Sequence, residues 1–199
     1  MYNDKDTMTK VKISYNKKYY NDHLIEKVCN ESPVIQRACM LLLKVIMDND
    51  MDGLIDRKGH LIMFIWFLIY KGHIPTVIDD GSQTQDQLFE ALKNFQERFV
   101  KDGYKDELEE KYDEYRLILD FKEFFIGIDI DTNVKFSVRY KEGMKFNKID
   151  DSSEISKTIK YSIDDPDIST NYGFDYGQKT ESNRKFIYTI WKSIQIKDD

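Results

Sequence analysis

An acidic turn over residues 47–58, MDNDMDGLIDRK, is the stretch of this chain that comes closest to a chemical motif. Its aspartates and Gly53 match positions of the calcium loop of helix–loop–helix proteins, in which side-chain oxygens and a glycine turn surround the ion. Such a loop carries a bidentate glutamate at its twelfth position. Counted from Asp48 as the first position, the twelfth residue here is Gly59. We therefore favour a solvated turn between two helices. The alternative is a calcium site formed by Asp48, Asp50, Asp52 and Asp56.

The other residues with catalytic or metal-binding chemistry form no recognisable pattern. His60 and His73 are far apart along the chain, and neither has the glutamate spacing of a metalloprotease helix, so we expect both at helix ends. The acidic segment Lys105–Tyr115 holds many similar carboxylates, and no pair stands out as a general acid and base. We find no phosphate-binding glycine loop and no nucleophile elbow. We expect a non-enzymatic protein without a cofactor.

The two cysteines, Cys29 and Cys39, are ten positions apart, which fits no metal-binding or redox motif. This spacing favours two buried thiols in a reducing compartment. The first twenty residues are polar, so we expect no secretion signal. The longest unbroken apolar run, residues 61–70, is about half as long as a membrane span. It predicts a core helix and no transmembrane segment.

Charge is distributed unevenly along the chain. The net charge of −6 argues against a protein that wraps nucleic acid over its whole surface, and we expect no sequence-specific nucleic-acid binding. The first eighteen residues are an exception, because their lysines outnumber their aspartates. Such a patch attracts anionic lipid, although a short solvated tail is the simpler interpretation. The lysines are Lys5, Lys10, Lys12, Lys17 and Lys18.

Apolar spacing in the first half of the chain predicts helices. Ser32 followed by Pro33 marks a helix start, since serine caps well and proline suits the first turn. We expect a short helix before this point and a longer one after it, to about Met47. Residues 60–70 predict a helix that is apolar nearly all round and is closed by a glycine and a proline. A fourth, amphipathic helix is predicted by Leu88, Leu92, Phe95 and Phe99.

From Leu117 onward, β-branched and aromatic residues dominate, and the pattern predicts strands. These strands cover residues 117–121, 124–130, 134–140, 155–163 and 186–196, and residues 9–15 predict one more. Helices followed by strands indicate an α+β fold, in which the helices pack on a mostly antiparallel sheet formed by the C-terminal half. We predict a basic flexible N-terminus over residues 1–8 and a single domain over residues 9–199.

Two segments resemble the matrix proteins of rhabdoviruses. In that family an aspartate, a glycine five residues later and basic residues lead into an apolar helix, and here these positions are Asp48, Gly53, Arg57 and Lys58. The segment FFIGIDIDTNVKFSVRY is similar to a later hairpin of the family. Its matching residues include Phe125, Gly127, Val134 and Phe136. The resemblance covers about residues 10–140 as a pattern.

The resemblance implies a non-enzymatic viral matrix protein that self-associates and links the ribonucleoprotein to the inner face of the membrane during assembly and budding. Its partners would be other copies of itself, the viral nucleocapsid and an anionic membrane surface met by the N-terminal lysines. Such a protein would be found in the virion and in the host cytoplasm, peripheral at the membrane.

A second interpretation follows from the acidic segment itself. Residues 101–115 could block a basic partner, as in a soluble acidic interaction module of the inhibitor or immunity type from a phage or bacterial conflict system. Progressive self-association at rising concentration and falling salt favours the matrix interpretation. A persistent monomer that binds a basic partner favours the interaction module.

Overall fold

The computed structural model describes residues 20–51, 55, 57–77, 85–127, 134–136, 161–163 and 188–196. Most of this part is helical, and residues 188–193 form a short C-terminal helical segment. Two three-residue strands, β1 (Val134–Phe136) and β2 (Tyr161–Ile163), pair in parallel. The helices are α1 (Tyr20–Asn30), α2 (Pro33–Asp48), α3 (Arg57–Tyr70), α4 (Gln85–Lys101), α5 (Tyr104–Lys111) and α6 (Glu114–Gly127).

The start of α2 confirms the predicted serine–proline signal. Ser32 has extended backbone angles, and its Oγ accepts a hydrogen bond from the Val34 amide at 3.2 Å. This bond satisfies one of the amides that the first helical turn leaves without a partner. Pro33 occupies the first helical position, where its missing N–H is not needed. Only two residues separate α1 from α2, so the two helices pack against each other.

Helix α3 is the centre of the structure, as its uninterrupted apolar sequence predicts. Its residues from Gly59 to Ile69 are all buried, including the large side chains of Phe64 and Trp66. Burying one large apolar side chain contributes about 1.5 to 3 kcal/mol to folding, so this helix carries a large share of the hydrophobic stabilisation. It contacts α1 and α2 and lies beside β1 and β2. Between Gly59 and Ile69 this helix therefore presents no face to solvent.

Aromatic rings connect α3 to α6 and to the C-terminal segment. Phe121 meets both Phe64 and Phe67 edge-on, with ring centroids 5.4 Å apart in each pair. The same ring of Phe121 contacts Trp191, a fully buried residue of the C-terminal segment, at 5.5 Å. Edge-to-face pairs of this kind contribute roughly 0.5 to 1.5 kcal/mol beyond their buried area. They place Phe121 at the junction of three segments that are distant in sequence.

The predicted strands over residues 117–121 and 124–130 are wrong for the residues that the structure describes, because residues 114–127 form α6. Its buried residues, Leu117, Ile118, Phe121 and Phe125, recur at intervals of one, three and four, which is the spacing of one helix face. Asp113 begins the helix, since its Oδ1 accepts a hydrogen bond from the Arg116 amide at 2.7 Å. The aromatic and β-branched composition suggested strands, but packing against α2 and α3 favours the helix.

The predicted α+β fold with a mostly antiparallel sheet is also wrong. The described residues form a helical protein, and their two short strands pair in parallel, with Val134 opposite Tyr161. Within the predicted strand 186–196, residues 188–193 are helical instead. The predicted strand at residues 9–15 and the basic terminus at residues 1–8 lie outside the described residues. The single domain over residues 9–199 stays a prediction.

Candidate functional site

The acidic turn begins where α2 ends. Asp48 is the last residue of α2, and Asp50 adopts a left-handed backbone conformation with φ 52°; both side chains are exposed. Arg57 and Lys58 are exposed at the start of α3. Asp52, Gly53 and Asp56 lie outside the described residues. No group of three or more histidine, cysteine, aspartate or glutamate side chains is placed to hold a metal ion in the described part of the chain.

The other residues singled out by the sequence are dispersed. Phe125 and Gly127, expected in a hairpin, lie in α6, and Val134 and Phe136 lie in β1, whose partner strand is parallel. The hairpin that the resemblance implies stays a prediction, because residues 128–133 and 137–140 lie outside the described residues. The five N-terminal lysines lie outside the described residues. His60 is fully buried in the first turn of α3.

The acidic segment at residues 101–115 is folded, and it contacts the neighbouring helices α4 and α2. Helix α5 lies against α4 and is anchored by Leu108, which is 2% exposed. Glu109 accepts a hydrogen bond from the Oγ of Ser32 at 2.8 Å, which ties α5 to the start of α2. Glu114 forms an ion pair with Arg37 of α2 at 3.0 Å. Glu109 and Glu114 therefore connect the acidic segment to α2.

Two carboxylates of the acidic segment, Glu107 and Glu114, have pKa values lowered from the ordinary value of glutamate. The pKa of Glu107 is lowered by a hydrogen bond from Lys111, whose Nζ is 2.5 Å from Oε1 one turn along α5. The pKa of Glu114 is lowered by a hydrogen bond from its own backbone amide and by Arg37. Both groups therefore stay ionised well below neutral pH.

Four further carboxylates form what we call the acidic ridge: Asp102, Asp106, Glu110 and Asp113. All four are exposed, and Asp106 and Glu110 are one turn apart on α5, with the other two in the turns that flank this helix. Among the described residues, none of the four forms an ion pair with a lysine or arginine. The ridge is therefore a set of exposed carboxylates, two on α5 and two beside it in sequence, available to a partner.

A small cleft lies on another side of α5, where the end of α3 meets it. Gly72 has a left-handed φ of 71°, and the amides of Gly72 and His73 donate to the carbonyls of Ile69 and Leu68. This pair of bonds is a Schellman motif, which ends α3 and turns the chain sharply. It places the ring of His73 edge-on against Tyr112, with centroids 4.8 Å apart. Gly72 was predicted from the sequence as the end of α3, whereas the cleft was not.

The cleft has a volume of about 140 Å³ and is lined by Lys71, Gly72, His73, Tyr104, Glu107, Leu108, Lys111 and Tyr112. Burial lowers the pKa of His73, although the carboxylates of Asp120 and Glu107 oppose this effect, so the imidazole is neutral at pH 7. The volume is well below the roughly 300 to 1,000 Å³ of pockets that bind organic ligands. It suits a few water molecules or one small ion, and we rank the cleft below the ridge as a functional site.

The structure also brings together Cys29 and Cys39, which are ten positions apart in the sequence. The Sγ atoms of Cys29 and Cys39 are 3.0 Å apart, across the contact between α1 and α2. The two-residue link between these helices makes the contact possible, because the chain reverses direction at once. A spacing of ten positions matches no short motif, and only the packing of two helices shows that the thiols meet.

No family model, curated protein or solved structure matches this chain. Among the described helices, none combines the length and apolar character needed to cross a membrane.

Proposed function

We propose that this protein is a non-enzymatic interaction module that binds a basic partner through the acidic ridge. The observation that supports this proposal is that the four carboxylates of the ridge are exposed and form no ion pair within the described residues. A partner that presents lysine or arginine side chains would complement this charge. Complementary charge of this kind speeds association and excludes partners of the wrong sign.

The support beneath the ridge suits it for binding. Leu108 anchors α5 in the core, and the hydrogen bond between Ser32 and Glu109 fixes the helix from another side. A surface that is already ordered loses less conformational entropy when a partner binds. The ridge therefore offers its charge without first having to fold.

The charge balance of the chain favours the same conclusion. Residues 101–115 contain seven carboxylates and three lysines, whereas the whole chain has a net charge of −6. Most of the excess negative charge is thus concentrated in less than a tenth of the sequence. A concentrated charge steers an oppositely charged partner from a distance, and the effect weakens as salt screens it.

The test is binding of a fluorescent oligolysine peptide to the full chain at low salt, followed by anisotropy. The ridge variant Asp102→Asn/Asp106→Asn/Glu110→Gln should bind about tenfold more weakly, since each lost charge contact contributes up to about 0.5 kcal/mol. Asp113 is left intact because it caps α6. The matched control, Asp48→Asn/Asp86→Asn/Glu123→Gln, removes the same charge from scattered exposed positions and should change the affinity less than about threefold.

Two outcomes would contradict the proposal. One is a wild-type chain that does not bind the peptide at low salt. The other is an equal loss of affinity in the ridge variant and the control, which would mean that net charge acts alone. Circular dichroism of both variants should match the wild type, because none of the substituted side chains is buried.

The viral matrix function implied by the sequence resemblance stays a prediction. Size-exclusion chromatography at rising concentration and falling salt distinguishes the two functions. An interaction module stays monomeric, and a matrix protein self-associates and floats with anionic liposomes.

A further inference from the structure

The contact between Cys29 and Cys39 has the geometry of a thiol pair poised for oxidation. Cys29 lies in the last turn of α1, and Cys39 lies in the second turn of α2. Their sulfurs are 3.0 Å apart, whereas a disulfide bond measures about 2.05 Å. The sulfurs would have to approach by about 1 Å, a shift within reach of side-chain rotation.

The surroundings hold the two sulfurs in place. The cap at Ser32 fixes the start of α2, and Val28, next to Cys29, is fully buried in the core. The side chain of Gln36 donates to Asn30 across the same junction at 3.5 Å. The contact is thus a product of two packed helices and a two-residue link, and it forms whenever the native fold forms.

The two thiols differ in exposure, and burial affects the pKa of one of them. Cys29 is half-buried, so a small oxidant can reach it, whereas Cys39 is buried. The hydrogen bond with Cys29, together with burial, raises the pKa of the Cys39 thiol well above its ordinary value. The thiolate is the reactive form of cysteine. We therefore expect peroxide to react at Cys29, the more accessible thiol, while Cys39 stays protonated.

We propose that Cys29 and Cys39 form a peroxide-sensitive site at which a hydroperoxide generates an intramolecular disulfide that clamps α1 to α2. The Cys29 thiol loses its proton, its thiolate attacks one oxygen of hydrogen peroxide, and the O–O bond breaks. The departing hydroxide takes up that proton, so the products are a sulfenic acid at Cys29 and one water. The sulfur of Cys39 then attacks the sulfenic sulfur. The S–O bond breaks, and the departing hydroxide takes the proton of Cys39 as a second water. Two thiols are oxidised while one peroxide is reduced.

The clamp would act on a helix that contacts three others, because α1 packs against α2, α3 and α4. A disulfide in a reducing compartment is transient and is reversed by cellular thiols. The oxidised chain should therefore be a more stable form that lasts only while peroxide is present. This inference is independent of the acidic ridge, since neither cysteine belongs to it.

The test uses the reduced full chain, treated with one equivalent of hydrogen peroxide, quenched with N-ethylmaleimide and weighed by intact mass spectrometry. We expect a monomer that has lost two hydrogens, gains no maleimide and recovers two reactive thiols after dithiothreitol. The melting temperature should rise by about 5 to 10 °C on oxidation. The second step, followed as the loss of dimedone-reactive sulfenic acid, should be at least about tenfold slower in guanidinium, because the unfolded chain loses the native approach of the sulfurs.

Single-cysteine variants provide the control. Cys29→Ser and Cys39→Ala should form no intramolecular disulfide and should show no rise in melting temperature with peroxide. The Cys39→Ala variant should accumulate a sulfenic acid that dimedone traps. The proposal is overturned if the wild-type chain keeps both thiols open to maleimide, forms intermolecular dimers, or loses its sulfenic acid equally fast when unfolded. The wild-type and denatured comparisons decide the matter even if a variant fails to fold.

Discussion

The cleft at His73 lies between α5 and the turn that follows α3, and these two helices have opposite characters. Eleven of the fourteen residues of α3 are buried, whereas Leu108 is the one fully buried residue of α5. Helix α3 is held by apolar contact on every side. Helix α5 is held by Leu108 and the partly buried Tyr104, by polar contacts such as Ser32 with Glu109, and by its neighbour α4.

This difference means that substitutions in α3 affect the stability of the protein, whereas substitutions at exposed positions of α5 affect mainly its surface charge. Changes in α3 remove contacts in the core and cannot be offset locally, because interiors are close-packed. Changes on the exposed side of α5 alter charge with little effect on packing. The helix that carries the ridge is therefore the one that can vary in sequence without unfolding the protein.

The largest effect is expected at the centre of α3. Phe64→Asp places a charge without a partner in a fully buried position and should cost at least about 4 kcal/mol, enough to unfold a domain of ordinary stability. Loss of the helical circular dichroism signal would show it. Met40→Asp on α2 is the control, because this side chain is 66% exposed and should tolerate the charge. A folded Phe64→Asp protein would mean that α3 is an exposed interface.

A smaller effect is expected at the anchor of α5. Leu108→Ala should lower the free energy of unfolding by about 2 to 3 kcal/mol, because it leaves a cavity beneath a short helix. Urea denaturation measures the change. The protein should stay folded, since α3 keeps its contacts. Unfolding as severe as that of Phe64→Asp would show that α5 is as essential to the core as α3.

The next effect concerns the polar tie between α5 and α2. Ser32→Ala removes both the cap of α2 and the hydrogen bond to Glu109, and it should cost about 1 to 2 kcal/mol. Glu109→Gln keeps the cap and an acceptor oxygen, so its cost should be smaller. Equal costs in urea denaturation would mean that the cap contributes little.

The smallest effect is a pH dependence at the cleft between α3 and α5. Because burial holds the pKa of His73 below 6.5, the unfolded chain takes up the proton first as the pH falls. The stability contributed by the neutral ring is therefore present above about pH 6.5 and is lost as the pH falls towards the folded pKa. His73→Phe keeps an aromatic ring against Tyr112 without the titration. Its stability should vary less than that of the wild type between pH 7.5 and 5.5, as urea denaturation at each pH would show.

Asp120, Glu107, Lys71 and Lys111 surround this histidine and remain in both proteins, so the difference between them isolates His73. Carboxylates with lowered pKa values, such as Glu114, titrate below this pH window. An identical pH dependence in the two proteins would contradict the prediction.

Much of the helical half was predictable because its local signals agree with its packing. The cap at Ser32, the apolar run of α3 and the glycine that follows it each specify a structure within a few residues. The interpretation failed at residues 114–127, where aromatic composition outweighed the helical spacing of Leu117, Phe121 and Phe125. Composition is a weak guide there, because β-propensity depends on the surface against which a residue packs.

The candidate sites were likewise predictable only where they depend on local sequence. The concentration of carboxylates at residues 101–115 was visible in the sequence. Which of them hold helices together and which remain open to a partner depends on Ser32 and Arg37, about eighty positions earlier in the chain. The meeting of the two thiols and the cleft at His73 likewise depend on contacts between helices.

The sequence alone determined the start of α2 at Ser32, the buried centre at α3 and the location of the negative charge, because each depends on neighbouring residue types. Only the tertiary structure decided that residues 114–127 are helical, that Cys29 and Cys39 touch, and that the ridge is free of ion pairs among the described residues. Such features arise from side chains that are distant in sequence, and their energies exist only once the helices have packed.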